Sequence, residues 1–267
     1  MKLTDFGIVF ACVFLCVCLV WGINIVQLNT ISQTNRKYNQ AIDNAVTDGL
    51  HMFVELDNGE NLQFNVEESK EQFFRTLGIN LNVGLEVDRL EEYVPVLCYL
   101  LPEGFYIYHN NYSLDKDGNM VRTYERSDLY NYYMVDQYYE YCFTLSDEIW
   151  IRDKKTMEIY QGKPEEIAKY CNVDFLGNAN EFDNMKNSVV VENVIDKLTY
   201  YANEYNLYGE NIGAKYEFYV PQISDATWVR TIKNPGIIAF VQGLPYSGNL
   251  GCFNKVAFGG ARLYKKG

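Results

Sequence analysis

The apolar positions of this chain fall into three regimes: an unbroken run, a seven-residue repeat, and short alternating stretches. Residues 6–26 carry no charged side chain and one strongly polar one, Asn24. Twenty-one residues rising about 1.5 Å each cover roughly 30 Å, the thickness of a bilayer's hydrocarbon core. The run predicts a transmembrane helix. The competing reading is a cleaved secretory signal, for which Lys2 supplies a basic start. The length of the run favours an uncleaved signal-anchor. So does the lack of a small-x-small site after it, where Trp21, Asn24 and Gln27 stand instead.

Asn24, Leu28, Ile31, Asn35, Tyr38, Ile42, Ala45, Gly49, Met52 and Leu56 then follow one another in alternating steps of four and three. That is a continuous seven-residue seam. No proline interrupts it, the first being Pro95. The pattern predicts one helix over 4–56, roughly 75–80 Å long, stopped near Gly59. Ala45 and Gly49 permit close backbone approach, and Met52, Phe53 and Leu56 add bulk, so the outer half reads as built to dock into a domain. The middle, 27–39, is rich in Asn, Gln, Ser and Thr. It reads as a solvated neck or as a seam for helix packing against identical copies; a rigid spacer is the plainer alternative.

From residue 57 onward short strand-like and helix-like stretches alternate, which predicts an α+β head. Helices are expected at 67–81, around 89–93, at 164–170 and at 181–206. A short strand or turn is expected at 62–66, and strands at 94–101, 104–112, 120–126, 141–151, 157–161, 215–221, 236–244 and 255–264. The expected architecture is an antiparallel sheet with helices on one face. The organisation is thus a short tail (1–5), a transmembrane helix (6–26), its extramembrane continuation (27–56) and an extracytoplasmic head (57–267).

Composition narrows the function. The 267 residues carry a net charge of −12, unsuited to neutralising phosphates and so contrary to nucleic-acid binding. All acidic side chains but Asp5, and 20 of the 23 Lys and Arg, lie beyond Lys37. A body this acidic is better placed away from an anionic cytoplasmic leaflet, which favours an extracytoplasmic head. Cys98, Cys142, Cys171 and Cys252 allow two disulfides in three connectivities, or four buried thiols. There are 23 tyrosines, the first at position 38. Tyr130, Tyr132, Tyr133, Tyr138 and Tyr139 crowd one segment, which suggests an interface; half-burial on strands is the alternative.

Catalytic candidates are few. His51 and His109 are the only histidines. Neither has a nucleophile signature near it, and no phosphate-binding glycine motif occurs. Asp115, Asp117 and Asn119 around Gly118 resemble part of a calcium loop, but Arg126 stands where the closing Glu would fall, and a hairpin turn fits better. The expectation is no enzyme, no catalytic residue, no cofactor and no metal.

The layout of residues 1–56 resembles type IV pilin-like subunits, including Tad-type pseudopilins, in which a long apolar helix begins in the membrane and ends packed on a β-rich head. Such proteins carry a leader ending in Gly or Ala and a Glu five residues into the mature helix. Here Gly7 is the candidate leader end, Cys12 falls at the fifth place after it, and Asp5 is fifth from Met1. The resemblance implies a single-pass structural or assembly subunit of the cell membrane. Its partners would be the membrane and other protein subunits, or copies of itself bound through the long helix. The alternative is a ligand-binding or sensory ectodomain acting through a partner protein.

Overall fold

The computed structural model describes residues 3–57, 61–82, 87–211, 232, 234–246 and 251–260. Helix α1 (Leu3–Phe53) runs unbroken for 51 residues. It stops at Phe53 rather than at 56. The chain turns into strand β1 (Val54–Asp57), paired antiparallel with β2 (Asn61–Phe64), so that Leu56 lies opposite Leu62 on a strand and not on the helical seam. The expected stop at Gly59 lies outside the described residues. The Asn65 amide donates to the Phe53 carbonyl at 2.9 Å, closing the end of α1. Helix α2 (Val66–Leu81) then returns alongside α1. Ser69 Oγ donates to the Gly49 carbonyl at 2.7 Å, and Thr76 Oγ1 donates to Asp48 Oδ2 at 2.7 Å. Asn82 ends α2 in a left-handed conformation (φ 59°), which returns its amide to the last turn.

After the short helix α3 (Val87–Glu92) come β3 (Val96–Leu101), β4 (Gly104–Leu114), β5 (Met120–Arg126), β6 (Tyr130–Val135), β7 (Tyr139–Phe143), β8 (Ile149–Asp153) and β9 (Ile159–Gly162). Helix α4 (Pro164–Ile167), a 3-10 turn (Asp174–Gly177), helix α5 (Ala179–Asn211), β10 (Gly236–Pro245) and β11 (Cys252–Gly260) follow. One antiparallel sheet of nine strands results, ordered β11-β10-β3-β4-β6-β7-β8-β9, with β5 also paired to β4. The strand expected over 141–151 is in fact two, β7 and β8. Thr144 Oγ1 donates to the Glu148 carbonyl at 2.7 Å and shapes the loop between them. The strand expected at 215–221 and the end of the one expected at 255–264 lie outside the described residues. The chain is α+β, as its pattern predicts.

Helices cover both faces of the sheet, not one. On β3, Val96, Cys98 and Leu100 enter the core shared with α5, while Leu97 and Tyr99 enter the core shared with α1 and α2. On β10, Ile238 and Phe240 take the first side and Ile237, Ala239 and Val241 the second. Period-two alternation with both faces buried requires a continuous apolar run, which these strands have. The β6–β9 half has its core on the α5 side, through Tyr132, Tyr141, Phe143, Ile149 and Ile151. Out of phase with these, Tyr133, Trp150 and Ile159 are exposed. Helix α1 lies tight on β11: a Cβ on Gly259 would sit 2.6 Å from Val46 Cγ1.

Candidate functional site

Two places gather the residues singled out by sequence. The first is the spine of α1. Every described side chain from Phe10 to Thr30 is exposed, Asn24 and Leu28 among them, and the helix is long and apolar enough to cross a membrane. Engagement with the head begins at Ile31, which is half-buried. The Tyr246 hydroxyl bonds Asn35 Oδ1, and the Tyr38 hydroxyl donates to the Pro245 carbonyl at 2.7 Å. Lys255 Nζ pairs with Asp43 Oδ1 at 2.5 Å. Ile42, Ala45 and Gly49 are buried, and a Cβ on Gly49 would meet Ile237, Phe73 and the Ser69 carbonyl, each at 3.3 Å. The outer part of the seam is therefore filled by the chain's own head and is not open to identical copies. Met52 departs from the expectation: it is 43% exposed, and Phe53 takes the buried place. A straight helix drifts about 20° per seven residues, so a strict heptad leaves the buried face after a few turns.

The second place is the tyrosine-rich segment, which forms the β6–β7 hairpin. Its tyrosines part company by strand phase. Tyr132 is fully buried, its hydroxyl within 3.0 Å of the Leu101 and Gly104 carbonyls, which removes it from the expected interface. Tyr130 is half-buried, with its hydroxyl 2.7 Å from that of Tyr201. Tyr133 and Tyr138 are exposed and Tyr139 is half-buried. The turn is built on Asp136. Its Oδ1 accepts the Tyr138 and Tyr139 amides, each at 2.7 Å, and its Oδ2 accepts the Tyr141 hydroxyl at 2.5 Å. Burial alone would raise the Asp136 pKa, but these hydrogen bonds and Lys154 outweigh it and hold the carboxyl below its usual range. Lys154 Nζ also donates to the Asp136 carbonyl at 2.7 Å.

Across from this turn, residues 172–175 and the first turns of α5 complete a groove of about 910 Å³. Tyr138, Tyr139, Tyr141, Phe175, Met134 and Met185 give it aromatic and thioether walls. Asp136, Asp174 and Glu181 supply carboxylates; Asn172, Asn184 and Ser188 supply neutral polar groups. No Lys or Arg lines it among the described residues. Of these residues the sequence singled out only Tyr138 and Tyr139. Asp136 was legible as the Asx residue of a two-strand turn, Asp-Gln-Tyr-Tyr, once β6 is recognised. Phe175, Asp174 and the α5 residues arrive through tertiary packing that no local pattern announces.

The remaining candidates are structural. Cys98, Cys142, Cys171 and Cys252 are free thiols, which overturns the two-disulfide alternative. Cys98 and Cys171 are buried on the α5 side, Cys142 lies out of phase with Tyr141 and Phe143, and Cys252 is exposed on edge strand β11. Burial raises the Cys98 thiol pKa far above its ordinary value, leaving it unreactive. His109 stacks on Tyr201 with ring centroids 4.1 Å apart, and His51 is exposed in the last turn of α1. Asp115 Oδ1 accepts the Asp117 and Asn119 amides at 2.9 and 2.8 Å, making the β4–β5 hairpin turn, with Gly118 at φ +81°. Lys186 is a buried cation held by Asp183 at 3.2 Å and Asp147 at 3.5 Å, tying the β7–β8 loop to α5. Among the described residues no three His, Cys, Asp or Glu side chains converge as a metal-binding set. No protein-family model, no curated protein and no solved structure matches the chain, so its functional reading rests on its own residues and geometry.

Proposed function

We propose that this chain is a single-pass membrane protein with an extracytoplasmic head, serving as a structural or assembly subunit of pilin-like layout. One observation carries the reading: a single helix is the exposed apolar rod at one end and part of the head's core at the other. An exposed run such as Phe10–Leu28 has no stable place in water. Lipid, or the same segment of neighbouring copies, would cover it. The continuity leaves no flexible linker between rod and head, as suits a part that must hold position in an assembly. Asn24 and Leu28 remain available on the rod for helix-to-helix contact, whereas the seam from Ile42 to Gly49 is already used.

The test combines extraction, labelling and cross-linking on the full chain in a bacterial membrane. The chain is expected to resist alkaline extraction. Its exposed Cys252 is expected to react with a membrane-impermeant maleimide in intact spheroplasts. With the native membrane cysteines replaced by serine, Leu28→Cys is expected to give disulfide-linked dimers and Ala45→Cys none. Labelling only after the membrane is broken would overturn the outward orientation, and release by alkali would overturn the anchor. Leu28→Cys without cross-links would remove the assembly role. The aromatic, acidic groove favours a second reading, in which the head is a ligand-binding ectodomain acting through a partner.

A further inference from the structure

We propose that the groove between the β6–β7 turn and the start of α5 binds an organic cation, an amine or quaternary ammonium carried on an apolar body. The proposal goes beyond the anchoring reading and does not depend on it. About 910 Å³ is room for a small organic molecule or an extended side chain. The walls supply what such a cation uses. Tyr138, Tyr139 and Phe175 offer aromatic rings to the charge and to its methylene or methyl groups, and Asp174 and Glu181 are exposed carboxylates at the rim.

The charge balance decides between cation and other ligands. Two ammonium groups on adjoining segments, neither of them lining the groove, have partners of their own. Lys154 is bonded to the Asp136 carbonyl, and Lys186, at the position after Met185 on α5, pairs with Asp147 and Asp183. Asp136 spends its oxygens on its own turn, yet it stays ionised and adds to the negative potential. An anion would be repelled, and a neutral sugar, although its hydroxyls could donate to the carboxylates, would leave the groove's negative charge uncompensated, which a cation would not. The walls are also held before any ligand arrives. Asp136 takes three hydrogen bonds to fix the turn, and Phe175 lies 5.5 Å from Tyr141 and 6.1 Å from Phe143, ring centre to ring centre. Rigid aromatic walls reduce the entropy lost on binding.

The experiment is calorimetric titration of the purified full chain in a non-ionic detergent. The probes are choline, benzyltrimethylammonium and spermidine, with 3,3-dimethylbutan-1-ol as the uncharged isostere of choline and maltotriose as a neutral sugar. At least one cation is expected to bind saturably, and choline to bind about tenfold tighter than its isostere. The double variant Asp174→Asn with Glu181→Gln alters exposed side chains only and is expected to weaken cation binding about tenfold while leaving the circular dichroism spectrum unchanged. Tyr138→Ala, also at an exposed position, is expected to weaken it further. Equal binding of choline and its isostere would overturn the proposal. So would an unaffected double variant, saturable binding by none of the cations, or binding of maltotriose in their place.

Discussion

Two tyrosine hydroxyls in the core meet opposite fates. The Tyr132 hydroxyl serves the Leu101 and Gly104 carbonyls, holding the β3–β4 turn to β6. The Tyr124 hydroxyl is buried with no hydrogen-bond partner among the described residues. A buried polar group left unpaired costs about 1–3 kcal/mol, and an intramolecular hydrogen bond contributes about 1 kcal/mol net. Tyr132→Phe is therefore expected to lower head stability by about 1–2 kcal/mol, and Tyr124→Phe to leave it unchanged or raise it. Urea unfolding followed by tyrosine and tryptophan fluorescence measures both. His109 gives a pH signature. Burial against Tyr201 lowers its pKa from 6.5, against opposing pulls from the Asn110 carbonyl, Glu204 and Glu125. The unfolded chain then takes up the proton first, so stability is complete above about pH 6.5 and declines as pH falls below it. His109→Gln is expected to flatten that decline between pH 6.5 and 5, and an unchanged slope would remove His109 as its source. At this scale the sequence was partly legible. The crowd of tyrosines was visible, but rings fall on both faces of the β6–β7 hairpin. The period that separates buried Tyr132 from exposed Tyr133 was therefore hidden.

Elements were easier to read where one physical cause dominated. The length of α1 follows from an apolar run without proline, and the sequence places it well. Its end was displaced by three residues because a seven-residue template was extended past the point where a 3.6-residue helix leaves it. That drift turns Met52 outward and puts Phe53 beside Phe64 and Tyr99, each ring 5.3 Å away. The junction between β7 and β8 carries neither glycine nor proline, and its turn formers, Thr144, Ser146 and Asp147, are a weaker local mark of the break. The continuous apolar runs in β3 and β10 are the mark of two-sided burial, but the expectation of helices on one face did not follow it; helices lie on both. Helix α1 also packs closely on α2 and β10 at Gly49, where three neighbours already stand 3.3 Å from an added Cβ. Gly49→Leu is expected to cost about 1–3 kcal/mol or more and to sharpen protease sensitivity of the head. Leu28→Ala, on the exposed length of the same helix, is expected to leave both within about 0.5 kcal/mol of the parent. Equal resistance of the Gly49 variant would mean that the helices can separate without loss.

Over the whole molecule, one helix carries two different surfaces. Its first half has the surface of a membrane span, and its second half is a layer of the head, sharing a core with α2, β3, β10 and β11. The long apolar helix and the layer were both legible in the sequence, the first from hydropathy and the second from Ala45 and Gly49. The groove was not, because its walls come from a hairpin, a 3-10 turn and a helix brought together only by folding. The unbroken passage from rod to head has a mechanical consequence. From Val26 to Phe53 the helix forms an arm of about 40 Å fixed to the head along much of its length. With the apolar half in a bilayer, a change in lipid thickness is met partly by tilting. A tilt of roughly 10° would carry the far end of such an arm sideways by about 7 Å. Lipid composition would thus set how the head leans over the membrane surface.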